Sequence, residues 1–205
     1  MTIPEIRHVV FDLGQVLIAY DMEAPYRRIE PDAEKRRRFF EDVDIHAWNL
    51  EQDRGRAWPD AEAAVIATHP HHADLIRAFR ANWWEMIPGP IEQNIEAVGD
   101  LIDRGIDVTA LTNWAPDTFV EAKAKFPILS RFRGTTVSGH VGLIKPDAAI
   151  YRHHTDTFGL SAAHTLFFDD NPANIDAARA FGWQAEQYVT PETLRADLRR
   201  YGLAP

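Results

Sequence analysis

The sequence predicts an α/β fold: a Rossmann-like parallel sheet with helices on both faces and a small helical cap inserted after the first strand. Two patterns lead to this prediction. Short apolar segments alternate with helix-like segments along most of the 205 residues, which is typical of parallel strands joined by helical crossovers. Residues 19–86 instead contain helix-like segments without a convincing strand. We therefore expect a core formed by residues 1–18 and 87–205, and a cap formed by residues 19–86.

The five predicted strands are short runs rich in apolar and β-branched residues. The first contains Val9 and Val10 and reaches Asp12, and the second ends at Leu111. The full set covers residues 9–12, 107–111, 135–138, 165–169 and 184–188. We expect all five strands to lie in one parallel sheet.

The predicted core helices share the same start and stop signals. Each begins with a proline and is followed by a glycine, which matches the residue preferences of helix ends. These helices cover residues 90–104, 146–158, 172–181 and 191–201. A further helix is expected to begin near Ala115, after the second strand.

The predicted cap contains three helix-like segments, at residues 31–42, 59–68 and 71–86. The chain is expected to re-enter the core through Ile87-Pro88-Gly89-Pro90, a rigid, helix-breaking linker suited to a hinge.

Composition excludes several classes of function. The formal net charge of −9 disfavours binding to nucleic acid or to anionic membranes, since both reward a basic surface. The chain has no cysteine, which excludes disulfides, thiol catalysis and thiolate metal sites. No run approaches the roughly 20 apolar residues of a membrane span, and the amino terminus lacks a signal-peptide pattern. We expect a cytoplasmic protein, a monomer or a homodimer, with no nucleic-acid or membrane partner.

Four polar segments follow apolar runs or lie in turns of the predicted core. They contain Asp12, Thr112, Lys145, and the pair Asp169 and Asp170. In an open parallel sheet, ligands bind beyond the carboxyl ends of the strands, where three of these segments are expected. The sequence therefore predicts a single polar site at that edge.

Carboxylates gathered at one point repel each other and raise each other's pKa. A divalent cation relieves that repulsion, and Mg²⁺ prefers carboxylate and carbonyl oxygens. The absence of thiols and of a paired-histidine helix motif argues against zinc. We therefore expect Mg²⁺ as the cofactor.

Together these segments resemble a known family. They are similar, in order, to the four motifs of the haloacid dehalogenase-type hydrolase superfamily, and the insert resembles that superfamily's helical (C1-type) cap, so the resemblance covers nearly the whole chain. The matching motifs are Asp12-x-Gly14-x-Val16, Thr112-Asn113, Lys145-Pro146 and Asp169-Asp170-Asn171. The resemblance implies a phosphatase-like member that acts on a small phosphorylated substrate.

The resemblance also implies roles for individual residues. Asp12 would attack phosphorus and form an aspartyl-phosphate, which divides one difficult hydrolysis into two displacements. Thr112 and the backbone amide of Asn113 would bind the phosphoryl oxygens. Lys145 would offset the negative charge of the nucleophile and the phosphate, the main source of catalysis in phosphoryl transfer.

The implied Mg²⁺ site combines Asp12 with the backbone carbonyl of Gly14. Asp170 is expected to bind the cation directly, and Asp169 directly or through water. Within the cap, Arg54 and Arg56 flank Gly55 in a loop. Cap loops of this family face the active site, so one of these arginines is expected to contact the substrate; a solvent-exposed turn is an equally weighted alternative.

One position departs from the family pattern. Phosphatases of this family usually carry a second aspartate two residues after the nucleophile, as general acid and base, and here that position is Gly14. A cap residue or Asp21 could take the role, the substrate could have a good leaving group, or catalysis could be lost. Our hypothesis is a good leaving group, as in a sugar 1-phosphate, with help from a substitute residue.

Two further functions stay open from the sequence. Dehalogenases of this superfamily release halide from 2-haloacids without a metal and lack the consecutive acids at the fourth motif, so Asp169 and Asp170 favour a phosphatase. A catalytically silent module that binds a phosphorylated metabolite or a protein is the other alternative, and Gly14 is the evidence for it.

Overall fold

The computed structural model describes residues 4–204, and its strands account for the expected sheet. A five-stranded parallel sheet has the order β5-β4-β1-β6-β7, and a short antiparallel ribbon pairs β2 with β3. The bounds are β1 (His8–Phe11), β2 (Ile18–Ala19), β3 (Gly89–Pro90), β4 (Asp107–Thr112), β5 (Thr135–Val137), β6 (Thr165–Asp169) and β7 (Gln184–Gln187).

The α-helices fall into two groups. The insert contains α1 (Ala24–Ile29), α2 (Ala33–Val43), α3 (Ile45–Asp53), α4 (Trp58–Thr68) and α5 (Ala73–Ala81). The core contains α6 (Glu92–Asp103), α7 (Pro116–Lys125), α8 (Ser138–Val141), α9 (Ala148–Phe158), α10 (Pro172–Phe181) and α11 (Pro191–Arg200). Short 3₁₀ turns lie at Pro70–His72, Trp83–Met86, Pro127–Ser130 and Ala162–His164.

The central strand β1 is covered on both faces. Its residues point alternately to opposite faces, as in any strand. Val9 and Phe11 belong to the apolar cluster that includes residues of α6, α7 and α11, whereas Val10 packs with residues of α9 and α10. The predicted α/β class, with helices on both faces, is therefore confirmed.

Strand register brings the predicted polar segments to one edge. Phe11 lies beside Ala110 of β4 and Phe168 of β6. Because the strands are parallel, the residues that follow these positions, including Asp12, emerge at the same carboxyl edge.

The structure differs from the sequence prediction mainly in the helical insert. The expected helix at 71–86 is divided into two 3₁₀ turns around α5, and α1 and α3 were not predicted. The insert leaves the core after β2 and returns through β3, so the expected hinge is a small ribbon. The exact cap boundaries, residues 19 and 86, stay a prediction.

Within residues 4–204, no helix combines the length and the apolar character needed to cross a lipid bilayer.

Candidate active site

Asp12 lies directly after β1 and is almost completely buried, with 7% of its surface exposed. Its Oδ1 atom accepts a hydrogen bond from the Leu13 amide at 2.7 Å and lies 2.9 Å from Lys145 Nζ. Both contacts use the same oxygen. Oδ2 is therefore the oxygen left for an electrophile or a cation.

Lys145 is buried between two carboxylates. Its Nζ also donates to Asp169 Oδ2 at 2.6 Å. Asn174 Nδ2 lies 2.9 and 3.0 Å from the two oxygens of Asp169, and the amide of Asn171 donates to Oδ1 at 2.8 Å. These contacts use both Asp169 oxygens and hold them in one orientation.

The second and third motifs are joined through Asn113. Its Oδ1 accepts from the Lys145 amide at 2.9 Å, and its Nδ2 donates to the Lys145 carbonyl at 3.1 Å. The side chain thus fixes the backbone that carries the lysine. Thr112 ends β4 and is buried at the same edge of the sheet.

The donor set fits a hard divalent cation. One carboxylate oxygen from each of Asp12, Asp169 and Asp170 lies within 4.8 Å of the others. Among residues 4–204, no side-chain hydrogen bond joins the Asp170 carboxylate to another residue, whereas Asp169 is fully engaged. Three oxygen donors at this spacing suit Mg²⁺, which keeps several waters.

Burial and charge oppose each other in this cluster. Burial lowers the pKa of Lys145, but the charges of Asp12 and Asp169 outweigh it and raise that pKa above its ordinary value. Burial raises the pKa of Asp12 against the opposing effect of Lys145. Burial and the charge of Asp169 raise the pKa of Asp170. A cation would stabilise the ionised carboxylates and lower both carboxyl pKa values.

A small cleft of about 90 Å³ adjoins these residues, with Gly14 and Asn113 in its wall. Most of its remaining wall comes from the ribbon and the insert, together with one core aromatic residue, and it is largely apolar. These residues are Ile18, Ala19, Tyr20, Asn49, Asp53, Trp83, Ile87 and Trp114.

The two cap arginines are not among the residues that line this cleft. Arg54 pairs with Glu51 at 3.5 Å and with Asp147 of the core at 3.4 Å. Arg56 Nη2 donates to the Asp60 carbonyl at 3.5 Å. Their predicted substrate contact stays a prediction.

Two residues at this site were missed by sequence reasoning. Asn174 stands five residues after Asp169, in the first turn of α10, where an amide can reach back to the acids. Asp53 directly precedes Arg54 and is the last residue of α3. The sequence signal for Asp53 was a carboxylate between two predicted cap helices, which is too common to be specific.

Comparison with known proteins identifies the family. A model described as haloacid dehalogenase-like hydrolase matches residues 6–182. The chain therefore belongs to the haloacid dehalogenase-like hydrolases.

Curated relatives match only part of the chain. It is 32% identical over 83 residues to the sesquiterpene phosphatase astK of Aspergillus oryzae, covering 40% of this chain and 42% of the relative. It is 29% identical over 112 residues to a phosphoserine phosphatase of Thermus thermophilus, covering 49% of this chain and 45% of the relative. The matched segments thus span less than half of these relatives.

Solved structures share the fold over most of their length. A Bacteroides thetaiotaomicron family enzyme, in complex with magnesium and inorganic phosphate, has a TM-score of 0.68 at 18% identity and covers 90% of this chain and 94% of that chain. The L-2-haloacid dehalogenase of Xanthobacter autotrophicus, with chloropropionic acid covalently bound, has a TM-score of 0.63 at 20% identity. The match covers 98% of this chain and 85% of that chain. Both phosphate-binding and dehalogenase proteins therefore share this fold.

Proposed function

We propose that this protein is a Mg²⁺-dependent phosphatase that hydrolyses a small phosphorylated metabolite through an aspartyl-phosphate on Asp12. The observation that carries the proposal is the convergence of Asp12, Lys145 and the two acids Asp169 and Asp170 at the carboxyl edge of the sheet.

The proposed reaction begins at Asp12 Oδ2, the oxygen that Lys145 and the Leu13 amide leave unused. This oxygen attacks phosphorus, and the bond to the leaving oxygen breaks. Lys145 stabilises the negative charge that develops on the phosphoryl group. Thr112 and the Asn113 amide bind the phosphoryl oxygens.

The proposed cation site uses Asp12, Asp170 and the Gly14 carbonyl, with Asp169 directly or through water. When bound, Mg²⁺ neutralises phosphoryl charge and orients the phosphate for in-line attack. Lys145 alone leaves the cluster of three carboxylates negative, so a phosphate dianion would be repelled without a cation. The net negative charge of these side chains favours a metal-dependent phosphatase over a metal-independent dehalogenase.

A sugar 1-phosphate is the substrate class that we favour. Gly14 supplies no general acid, so an easily released anomeric oxygen is an advantage. The aromatic rings of Tyr20, Trp83 and Trp114 suit the apolar face of a sugar, and Asn49 offers a hydrogen-bonding group.

The test is a screen of sugar, nucleotide and small organic phosphates with Mg²⁺ and with EDTA. We expect hydrolysis that EDTA abolishes, with hexose 1-phosphates turned over faster than hexose 6-phosphates. Metal-independent release of halide from a 2-haloacid would refute the phosphatase, and equal turnover of the two hexose phosphates would refute the sugar 1-phosphate assignment.

The nucleophile has its own test. Asp12→Asn should abolish turnover, because the amide cannot form the aspartyl-phosphate. It should still bind inorganic phosphate if the protein is folded. If Asp12→Asn hydrolysed the substrate at the wild-type rate, Asp12 would be excluded as the nucleophile.

A further inference from the structure

The carboxylate of Asp53 reaches the active-site cleft from the insert. Asp53 is the last residue of α3, only 8% of its surface is exposed, and it lines the same cleft as Gly14 and Asn113. Of the residues that line this cleft, Asp53 is the one with an acidic side chain. An acidic side chain therefore lines the same cleft as Gly14, the position where the family's second aspartate is missing.

The backbone of Asp53 is tied to the core. Ser138 Oγ, at the start of α8, donates to the Asp53 carbonyl at 2.5 Å. The carboxyl group accepts from Asn49 Nδ2 at 3.2 Å and from the Ala115 backbone amide. Hydrogen bonds from the insert and from the core thus fix the carboxyl group at the cleft.

The neighbourhood favours a protonated carboxyl group. Burial raises the pKa of Asp53 to about 7, with a further contribution from the charge of Asp12, while the Ala115 amide and Lys145 oppose the increase. Within residues 4–204, no ion pair includes Asp53. A cation beside Asp12 would weaken the repulsion but leave the burial, which is the larger cause.

Asp21, the other candidate from the sequence, has a different environment. It forms an ion pair with Arg27, accepts a hydrogen bond from the Glu23 amide, and is substantially exposed. It does not line the cleft around Gly14. The carboxylate of Asp21 is therefore engaged outside the cleft, away from the expected leaving group.

We propose that Asp53 is the general acid and base of this enzyme, supplied by the cap in place of the family's aspartate at position 14. The inference rests on the proposed phosphatase function and adds a catalytic residue to it.

In the proposed reaction, one carboxyl oxygen of Asp53 donates a proton and later accepts one. As Asp12 attacks phosphorus, the bond from phosphorus to the leaving oxygen breaks, and the Asp53 proton passes to that oxygen to give the alcohol. The resulting Asp53 carboxylate takes a proton from water, whose oxygen attacks the aspartyl-phosphate. Inorganic phosphate leaves, Asp12 regains its carboxylate, and Asp53 is protonated again.

The space around Gly14 would accommodate a side chain, so an aspartate can be introduced at this position and compared with Asp53. A Cβ atom built on Gly14 would meet no atom within 4 Å, and its backbone has no positive φ angle. The position can therefore accept an aspartate. The family's usual arrangement can be restored in the same protein.

The first experiment compares two leaving groups in Asp53→Asn. Benzyl phosphate releases a poor leaving group that needs a proton, and p-nitrophenyl phosphate releases one that does not. We expect kcat/KM to fall about 10²–10⁴-fold for benzyl phosphate and to change little for p-nitrophenyl phosphate. A fall of equal size for both substrates, or no fall for either, would overturn the proposal.

The second measurement is the pre-steady-state burst with p-nitrophenyl phosphate. Without the base, hydrolysis of the aspartyl-phosphate is slow, so Asp53→Asn should release nitrophenolate equivalent to the enzyme and then turn over slowly. Asp53→Asn/Gly14→Asp should recover benzyl phosphate hydrolysis, and Asp21→Asn should retain wild-type rates. Absence of both the burst and the recovery, or a loss in Asp21→Asn as large as in Asp53→Asn, would contradict the assignment.

The wild-type pH profile tests the same role without a variant. The titratable groups that face Asp53 are Asp12 and Lys145 from the core and Tyr20, which directly follows β2. Loss of the Asp53 proton should reduce kcat/KM for benzyl phosphate above about pH 7, but not for p-nitrophenyl phosphate. The same decline for both substrates would argue against Asp53 as the acid.

Failure of the proposed function would look different. If the wild-type protein hydrolysed neither phosphate with Mg²⁺, or if Asp12→Asn were fully active, the phosphatase itself would be refuted and the role of Asp53 with it. An active wild type with inactive Asp12→Asn and unaffected Asp53→Asn would refute only the role of Asp53.

Discussion

At the scale of single residues, Asn174 determines the orientation of Asp169. Its amide contacts both carboxylate oxygens, and one of those oxygens also binds Lys145. Residues that orient a metal ligand without binding the metal commonly matter almost as much as the ligand itself. Asn174 is therefore expected to influence the cation through Asp169.

Removing this amide should weaken the cation site. We expect Asn174→Ala to raise the Mg²⁺ concentration for half-maximal activity, or to reduce activity, by about 10–100-fold. The measurement is a Mg²⁺ titration of phosphatase activity. Asn171→Ala is the matched control, because the Asn171 side chain caps the Ala173 amide of the same helix and only its backbone amide contacts Asp169. Equal shifts in the two variants would contradict a specific role for Asn174.

At the scale of elements, a buried histidine joins α9 to two strands. His154 Nε2 lies 3.0 Å from Thr109 Oγ1 of β4, and its Nδ1 lies 2.8 Å from Thr136 Oγ1 of β5. Burial lowers the pKa of His154 to about 3, with the charges of His153 and Arg133 adding to the effect. The neutral ring is therefore built into the packing of helix against sheet.

This histidine should make stability depend on pH. In the unfolded chain the imidazole of His154 is protonated below about pH 6.5, whereas in the folded protein it stays neutral down to about pH 3. The stabilisation is therefore fully present above pH 6.5 and is lost as the pH falls from 6.5 towards 3. His154 should contribute a slope of up to about 1.4 kcal/mol per pH unit. Urea unfolding between these pH values, compared with His154→Gln, measures it; an identical pH dependence in both proteins would contradict the assignment.

The core elements were predictable because their boundaries carry local chemical signals. Pro172 and Gly182 fixed the limits of α10, and the predicted limits of β6 agree with the structure. In the insert the signals are less regular: Pro59 marks the start of α4, but no glycine follows that helix. Asp44 ends α2 and begins α3 with a positive φ angle, which Asp adopts more readily than most residues. This is only a weak sequence signal for a new helix, and α3 was not predicted.

The candidate site was predictable to a different extent. Residues that belong to ordered motifs, such as Asp12 and Lys145, could be recognised because strand ends converge in a parallel sheet. The position of Asp53 in the cleft that Gly14 also lines depends on how the insert packs against the core. No local pattern in the sequence contains that information, so only the folded chain supplies it.

At the scale of the whole molecule, the insert is held against α7 and α8 of the core by directional contacts. Arg80 of α5 donates to Asp117 at 3.3 Å and to Glu121 at 2.5 Å. Trp58 Nε1 also donates to Asp117, at 3.1 Å. Together with the bond from Ser138 to Asp53, these contacts set the position of the cap over the cleft.

The insert and the core also approach each other closely at two glycines. Gly55 has a φ angle of +103°, and a Cβ atom there would lie 2.8 Å from the carbonyl oxygen of Gly139. A side chain would therefore require the cap loop to move away from α8. Since Asp53 is two residues earlier, that movement would displace its carboxyl group as well.

We expect Gly55→Ala to reduce both stability and activity by more than backbone strain alone explains. Gly105→Ala is the matched control, because Gly105 also has a positive φ angle, +77°, but open space around the added carbon. Both variants should lose about 1–2 kcal/mol from the strained backbone. Gly55→Ala should lose about 1–3 kcal/mol more from the clash, and the displacement of Asp53 should reduce kcat by up to about 10²-fold.

Urea unfolding and steady-state hydrolysis of benzyl phosphate measure the two effects. Equal losses of stability and activity in both variants would show that close contact between Gly55 and Gly139 does not position the cap.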